Sequence, residues 1–271
     1  MSCKTIVVHV DHSAHAATRI RYAAQLAVRL DAHLVGSAFS GISRYVEAGV
    51  EVILAQMSAL RQGNETALAR FDAIAAAEGV LSYERRYEND EPAGGLITQS
   101  RYADLVVVGQ TDPDDPATAH AAGSLPAQLL LGSARPVLVM PYAGQFSSPA
   151  SRILVAWDGS LEATRAVACS LPLLRAASLV AIVLFRPAAS AGRDPGADLA
   201  LYLARHGLRC EVHAQPVPID GGVALLSCAA DLQSELMVMG AYGHARLREV
   251  LLGGVTETIL ESMTVPVLMA H

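Results

Sequence analysis

The chain has 271 residues, of which 52% are hydrophobic and 17% are charged, and its formal net charge is -6 at pH 7. This length is close to two average domains, and the apolar fraction is ample for two buried sheets. Because no run of Lys or Arg accumulates, we do not expect a nucleic-acid partner. The apolar runs are too short for a signal-peptide core or a membrane span, so we expect a cytoplasmic protein without a membrane partner.

Apolar strand-like runs alternate with amphipathic helix-like runs along the chain, which is typical of βαβ units and a parallel sheet. The fold class is therefore α/β, with two tandem doubly wound domains of five parallel strands each. We predict domains at 1–143 and 151–271, joined by a polar linker at 144–150. The predicted strands are 4–10, 33–39, 81–88, 104–109, 136–140, 152–157, 178–185, 209–216, 235–240 and 265–269. The predicted helices are 14–30, 44–78, 92–101, 124–133, 161–175, 195–206, 221–232 and 253–262.

The two halves of the chain repeat each other, which indicates a duplication. Each half opens with an apolar run that ends in Asp, at Asp11 and Asp158, and each has a later run that ends in Gly, at Gly109 and Gly240. The offset falls from 147 residues at the aspartates (158 minus 11) to 131 at the glycines (240 minus 109). The first half therefore carries about sixteen extra residues (147 minus 131), which we expect to lengthen its helix at 50–78.

The second half contains a glycine pattern that suits a bound anion. An apolar run ends at Gly240, Gly243 follows three residues later, and Gly253 and Gly254 come after nine more residues. Glycines let the backbone approach a phosphate closely, and a helix N-terminus presents free N–H groups. For Gly240 and Gly243 alone, an ordinary tight turn between a strand and a helix is the alternative.

With its flanking strands, this segment resembles the universal stress protein family, whose nucleotide-binding members carry Gly-x-x-Gly, nine residues, then Gly and usually Ser or Thr. Gly240, Gly243 and Gly253 match that pattern, while Gly254 stands where the hydroxyl residue is expected. The resemblance implies a Rossmann-like fold of the adenine nucleotide alpha hydrolase type and a role in stress response. It also implies that the second half binds ATP or a related adenine nucleotide. Whether Mg²⁺ binds together with the nucleotide stays open.

By the same resemblance, the Asp that closes the first strand holds the adenosine portion and the glycine loop holds the phosphates. Asp158 takes that place in the second half, and the alternative is that Asp158 or Ser160 only caps the next helix. Leu184 would supply a backbone contact to adenine, and His244 is either a phosphate donor or a solvated loop residue. The predicted binding residues are Asp158, Gly159, Ser160, Leu184, Met239, Gly240, Gly243, His244, Gly253, Gly254 and Val255.

The first half departs from the pattern at the equivalent loop. Asp112 stands in place of the second glycine, and Asp114 and Asp115 follow it. Three carboxylates at a phosphate position would repel the phosphate, and no Lys or Arg is nearby in sequence. We therefore expect that this half has lost nucleotide binding and survives as a structural partner. By the resemblance, tandem members pair their domains through their last strands, here 135–140 and 265–269, and a further homodimer stays open.

A cluster of His9, Asp11, His12 and His15 lies at the end of the first strand and the start of its helix. A divalent metal site is sterically conceivable there. We favour a solvated helix start with Asp11 or Ser13 as the N-cap, because no wider ligand set is visible in the sequence.

The sequence gives little support for catalysis. It has no Gly-x-x-x-x-Gly-Lys-Ser/Thr loop and no nucleophile motif. The four cysteines, Cys3, Cys169, Cys210 and Cys228, form no close pair, so we assign them no metal or redox chemistry. Three hypotheses remain open: a stress protein whose nucleotide occupancy changes its assembly or partner binding, a nucleotide-free interaction scaffold, and a weak ATPase.

Overall fold

The computed structural model describes residues 2–41, 50–118, 124–146, 150–186, 195–243 and 254–271, with the backbone alone between 50 and 60. The chain divides into two compact units, Ser2–Val137 and Leu138–His271, which we call the first and second units. Both are built from parallel strands that alternate with helices, so the predicted α/β class is confirmed. Within the described ranges, no helix combines the length and the apolar character needed to cross a membrane.

The strands of the first unit stand in the order β3-β2-β1-β4, and β5 begins where this unit ends. The strands are β1 (Thr5–His9), β2 (His33–Phe39), β3 (Tyr83–Glu88), β4 (Leu105–Gly109) and β5 (Val137–Met140). The helices are α1 (Ala16–Leu30), α2 (Val50–Ala77), α3 (Pro92–Ser100) and α4 (Leu125–Gly132), with a short 3-10 helix at Pro116–Thr118.

The strands of the second unit stand in the order β10-β9-β6-β7-β8. They are β6 (Arg152–Ala156), β7 (Leu179–Phe185), β8 (Cys210–Gln215), β9 (Leu236–Gly240) and β10 (Val267–Ala270). The helices are α5 (Leu161–Leu174), α6 (Pro195–Arg205), α7 (Gly221–Asp231) and α8 (Val255–Ser262). The chain leaves β6 toward β7 on one side, and β9 returns to the other side, so the strand order reverses beside β6.

The strand registers confirm the duplication. Ile6 of β1 is paired with Leu105 of β4, and Ile153 of β6 is paired with Leu236 of β9. These pairs differ by 147 residues (153 minus 6) and 131 residues (236 minus 105), the offsets that the sequence predicts. The extra residues lengthen the second helix as expected, since α2 has 28 residues where α6 has 11.

The core lies around the inner strands. Val7 and Val8 of β1 and Ile153, Leu154 and Val155 of β6 are almost fully buried, as continuous apolar strands of a parallel sheet require. The outer strands β3 and β8 differ, because most of their residues are exposed or half-buried and polar. The expectation that every strand is a continuous apolar run is therefore wrong for these two. Each stands at the end of the strand order and has only one neighbouring strand.

Several predictions of the domain layout stay predictions. The proposed linker at 144–150 includes residues 147–149, which lie outside the described residues, and the pairing of the last strands is likewise untested.

Burial raises the pKa of the Cys3 thiol to about 12 and raises those of Cys210 and Cys228. All four cysteines are free thiols.

Candidate functional site

A pocket of about 640 Å³ opens in the second unit where β6, β7 and β9 end. The starts of α5, α7 and α8 complete its wall. Open parallel sheets hold ligands at this edge, beside the point where the strand order reverses, because the loops on either side diverge there. The lining residues of the strands and the loops that follow them are Ala156, Trp157, Asp158, Gly159, Ser160, Val183, Phe185, Met239, Gly240, Tyr242 and Gly243. The helices contribute Leu161, Glu162, Gly221, Leu225, Val255 and Thr256.

Strand β7 forms an apolar part of the wall. Val183 and Phe185 both line the pocket, because residues two apart on a strand share a face. Leu184 lies between them, points to the other face and is buried in the core. The predicted backbone contact of Leu184 with adenine stays a prediction, while the side chains that this strand gives to the pocket are those of its neighbours.

The turn after β6 places a carboxylate at the pocket. Gly159 has a φ of +77°, a left-handed conformation that favours glycine, and it turns the chain between Asp158 and Ser160. Asp158 is exposed and its Oδ1 accepts a hydrogen bond of 2.9 Å from the Ser160 backbone N–H. Ser160 is the N-cap of α5, since its Oγ accepts from the Ala163 backbone N–H at 3.1 Å. Ser160 thus caps the helix, and Asp158 remains at the pocket.

The glycine loop after β9 packs tightly against α5. A Cβ atom on Gly240 would lie 2.5 Å from the Ala163 backbone nitrogen, so this position requires glycine. Gly243 has room for a side chain, because the nearest atom to an added Cβ is the Glu162 Oε2 at 3.5 Å. Both glycines line the pocket, so the loop presents backbone rather than side chains at those two points.

The same loop is tied to α8 through Tyr242. This residue has a φ of +50°, its backbone N–H donates to the Thr256 Oγ1 at 3.2 Å, and its hydroxyl donates to the Glu257 Oε1 at 2.5 Å. Gly254 is the N-cap of α8 and provides no side-chain cap, and Val255 follows in the pocket wall. The start of α8, whose first N–H groups have no partner within the helix, therefore lies at the pocket beside the loop.

The structure brings together seven of the predicted binding residues as pocket lining. They are Asp158, Gly159, Ser160, Met239, Gly240, Gly243 and Val255. Gly254 adjoins them at the start of α8. His244 and Gly253 lie outside the described residues.

Sequence reasoning missed several residues of the pocket, of which Trp157 and Glu162 matter most. Trp157 is the one tryptophan of the chain, and its buried Nε1 has no hydrogen-bond partner within the described residues. Its position directly before Asp158 was the available signal. Glu162 is only 6% exposed although it is acidic. Its place in the first turn of α5 suggests only a favourable contact with the helix dipole, and no neighbouring residue indicates that it lies against the glycine loop.

The equivalent site in the first unit is nearly filled, leaving about 10 Å³. Arg19 occupies it. Its side chain is 3% exposed, its Nε donates to the His9 carbonyl at 2.9 Å, and its Nη2 lies 2.8 Å from the Asp11 Oδ1. A Cβ atom on Gly109 would lie 2.4 Å from the Arg19 Nη1. Counted from the aspartates, Arg19 stands where the second unit has Ala166 (19 minus 11 and 166 minus 158 are both 8).

Asp11 is held ionised by its surroundings. Burial alone would raise its pKa, but the charges of Arg19 and His9 and hydrogen bonds from Ser13 and Arg19 outweigh burial and lower the pKa well below its usual range. Asp11 Oδ1 accepts from both the backbone N–H and the hydroxyl of Ser13. The expectation that Asp11 or Ser13 caps α1 is wrong, because the N-cap is His15 and its side chain makes no capping hydrogen bond.

The carboxylates after β4 turn back onto the first unit. Asp115 Oδ2 accepts from the Ala14 backbone N–H at 2.9 Å, and Asp112 Oδ2 lies 3.4 Å from the His15 Nε2. The start of α1 is therefore covered by acidic groups of the chain itself. From the sequence these carboxylates were expected only to repel a phosphate, and no nearby residue indicated that Arg19 of α1 fills the space.

The histidine cluster of the first strand does not assemble as one site. His9 Nδ1 lies 3.4 Å from the Asp11 Oδ2, while the His15 ring is near Asp112. Among the residues that the structure describes, no group of three or more His, Cys, Asp or Glu side chains is arranged to hold a metal ion. The expected solvated helix start is also wrong for His9 and Ser13, since both are buried.

Comparison with known proteins identifies the family. The model of the universal stress protein family matches residues 2–141 and again 149–271. A universal stress protein from Archaeoglobus fulgidus DSM 4304 has a TM-score of 0.77 at 18% identity, over 99% of this chain and 96% of that chain. No curated protein matches the chain.

Two further solved structures contain nucleotides. A universal stress protein in complex with cAMP has a TM-score of 0.38 at 23% identity, over 51% of this chain and 97% of that chain. The universal stress protein from Archaeoglobus fulgidus in complex with dAMP has a TM-score of 0.36 at 20% identity, over 51% of this chain and 98% of that chain.

Proposed function

This chain belongs to the universal stress protein family, and we propose that its second unit binds an adenine nucleotide whose occupancy changes assembly or partner binding during stress. The observation that carries the proposal is the pocket of about 640 Å³, in which Asp158, the Gly240 to Gly243 loop and an apolar wall meet. This volume lies within the range of about 300–1,000 Å³ that is typical of small-molecule sites.

The pocket has suitable groups for both ends of a nucleotide. Asp158 is an exposed carboxylate at a strand end, able to accept hydrogen bonds from ribose hydroxyls or an adenine amine. Val183, Phe185 and Met239 provide apolar contact for a base, and the buried Trp157 Nε1–H is a donor that a ligand would satisfy. The glycine loop and the start of α8 supply backbone N–H groups for a phosphate.

The first unit has the same fold, but at the equivalent edge its described residues leave little space. Arg19 fills the space that the second unit keeps open, and about 10 Å³ is left. We therefore propose one nucleotide per chain and a structural role for the first unit. The proposed compartment is the cytoplasm, and pairing of the units through β5 and β10, or of two chains, is part of the same proposal. Any Mg²⁺ would arrive with the phosphates and find carboxylate oxygens at Asp158 and Glu162.

Occupancy has a structural route to the surface of the second unit. Tyr242 connects the glycine loop to Thr256 and Glu257 on α8, so a ligand that binds against Tyr242 and Gly243 also acts on that helix. A ligand shifts such an equilibrium only through different affinities for its two states. The proposed output is therefore a change in assembly on ligand addition, measurable by light scattering of the intact protein.

The first test is a titration of the intact chain with AMP and with Mg-ATP, followed by calorimetry and by the fluorescence of Trp157. We expect saturation at one site per chain. Gly243→Asp introduces a carboxylate beside Glu162 and should weaken AMP binding at least about tenfold, while the uncharged Gly243→Asn of similar size should weaken it much less. Asp158→Asn should weaken binding without affecting folding, because Asp158 is exposed.

The alternatives make different predictions in the same experiment. A folded protein that binds none of these ligands would be an interaction scaffold, and the nucleotide proposal would be rejected. Release of phosphate from ATP that disappears in Asp158→Ala would instead identify a weak ATPase.

A further inference from the structure

We infer that the Thr256 hydroxyl donates a hydrogen bond to a phosphate oxygen of the bound nucleotide, so that the pocket selects nucleotides over the free nucleoside. The inference rests on the proposed function, because it assigns a further residue and a preferred ligand class to the same pocket. Thr256 thereby supplies the hydroxyl that Gly254 lacks at the start of α8.

The helix starts that line the pocket differ in their caps. Ser160 caps α5 through its Oγ, and Asp220 caps α7, since its Oδ1 accepts from the Val223 backbone N–H at 3.0 Å. Helix α8 begins after Gly254, which makes no side-chain cap. The first N–H groups of a helix have no partner within it, and the helix dipole favours an anion beside them. The start of α8 is therefore suited to an acceptor that a ligand brings.

Thr256 adds a hydroxyl at this start. It is the second residue of α8, is 2% exposed and lines the pocket. Its Oγ1 accepts a hydrogen bond of 3.2 Å from the Tyr242 backbone N–H. A threonine hydroxyl has two lone pairs and one hydrogen, so the bond from Tyr242 leaves the hydrogen available. No hydrogen-bond acceptor for it is found among the residues that the structure describes.

A phosphate oxygen is a suitable acceptor for this hydrogen. Buried polar groups in folded proteins almost always have a hydrogen-bond partner, so a buried donor in a pocket wall indicates a partner that binds there. A charged acceptor makes a stronger hydrogen bond than a neutral one. The Thr256 hydroxyl and the first N–H groups of α8 belong to the same helical turn, so a single phosphate group can accept from both.

The first unit has a different residue at this position. Its helix α4 begins after Ser124, which corresponds to Gly254, and Pro126 corresponds to Thr256 (254 minus 124 and 256 minus 126 are both 130). Proline has neither a hydroxyl nor a backbone N–H to donate. A donor at the second position of this helix is therefore found in the unit that keeps a pocket and not in the unit whose site Arg19 fills.

The first test is a calorimetric titration of the intact protein with adenosine, AMP and Mg-ATP. Thr256→Val removes the hydroxyl at nearly constant shape, so it should weaken the tighter-binding nucleotide at least about tenfold and adenosine less than about twofold. Thr256→Ser keeps the hydroxyl and should stay within about threefold of the wild type for every ligand. The matched control is Thr98→Val on α3, where an exposed hydroxyl donates to the Gly94 carbonyl, and it should alter none of the affinities.

A crystal structure of the wild type with the tighter-binding nucleotide separates this role from a purely structural one. Thr256→Val also deprives the Tyr242 N–H of its acceptor, and a loosened loop would weaken nucleotides as well. We expect the Thr256 Oγ1 within about 3.2 Å of a phosphate oxygen while the bond from Tyr242 is retained. A separation beyond about 3.5 Å would overturn the inference, and this measurement does not depend on the folding of any variant.

The remaining outcomes distinguish the two proposals. If adenosine and a nucleotide bind but Thr256→Val weakens both equally or neither, Thr256 does not recognise the phosphate, and the inference is wrong while the proposed function stands. A loss in Thr256→Ser as large as that in Thr256→Val would assign the effect to the methyl group and would also contradict the inference. If neither adenosine nor a nucleotide binds the folded wild type, the proposed function is rejected and the inference with it.

Discussion

The two units contain the same local turn, but the space beside it is filled in the first unit and open in the second. Asp11 and Asp158 each follow a central strand, and each accepts a hydrogen bond from the backbone N–H of the serine two residues later, at 3.0 Å and 2.9 Å. In the first unit, Arg19 pairs with Asp11 and fills the site. The second unit has the small Ala166 at the equivalent position, eight residues after Asp158, and keeps a pocket. A duplicated site can therefore keep its backbone and lose its cavity through one internal side chain.

Gly109 at the end of β4 and Gly240 at the end of β9 differ in what packs against them. An added Cβ on Gly109 would meet the end of the Arg19 side chain, while one on Gly240 would meet the backbone at the start of α5. The first unit therefore depends on a buried ion pair where the second depends on close backbone packing. Three substitutions test this difference.

The largest effect is expected for Arg19→Met, which leaves the carboxylate of Asp11 in a mostly buried place without its cation. Removing one partner of such a pair costs about 3 kcal/mol of the free energy of unfolding at neutral pH. The pKa of folded Asp11 lies below its ordinary value of 3.8, so its interactions stabilise the fold above that pH and are lost as the pH falls toward the lowered pKa. The gap between wild type and variant should therefore be full at pH 6 and shrink below about pH 4.

Urea unfolding followed by far-ultraviolet circular dichroism measures that gap. The double variant Asp11→Asn with Arg19→Met removes both charges and should recover part of the loss. A gap that stays the same between pH 6 and pH 3 would show that lost packing of Arg19, and not its charge, is responsible.

An intermediate effect is expected for Gly240→Ala. The new methyl group would meet the Ala163 nitrogen at 2.5 Å, and neither β9 nor α5 can move without disturbing the sheet, so we expect a loss of about 2 kcal/mol in the second unit. Trp157 fluorescence during urea unfolding reports this unit, because it contains the chain's one tryptophan. Gly109→Ala is the matched change in the first unit. It should cost less, since the end of a side chain can shift more easily than backbone, and an equal cost in both units would contradict this account.

The smallest effect is expected for Ser160→Ala, which removes the cap of α5. Loss of a single N-cap hydrogen bond costs about 1 kcal/mol, again measured through Trp157. Ser13→Ala in the first unit removes no helix cap, because the Ser13 hydroxyl donates to the Asp11 Oδ1 instead. Its effect should thus show as a rise in the pKa of Asp11, measured by NMR titration. A fully stable Ser160→Ala would mean that the cap contributes nothing.

The positions of the elements followed from local patterns in the sequence. The ten strands lie where the sequence predicts them, eight of them as apolar runs, and the glycine loop and Asp158 meet at one edge because the carboxyl ends of parallel strands share that edge. The edge strands β3 and β8 were predicted in place but with the wrong surroundings, because burial depends on which strands stand beside them.

The sequence by itself determined the duplication, the α/β fold and the place of an aspartate at the end of each half's first strand, because short-range periodicity and spacing encode them. Only the tertiary structure decided that Arg19 fills the site of the first unit and which residues line the pocket of the second. Arg19 reaches Gly109 across 90 positions (109 minus 19), and Glu162 reaches Gly243 across 81 (243 minus 162). Contacts between residues so far apart depend on how the strands order themselves in the sheet and on which way each side chain then points, and neither leaves a pattern in the neighbouring sequence.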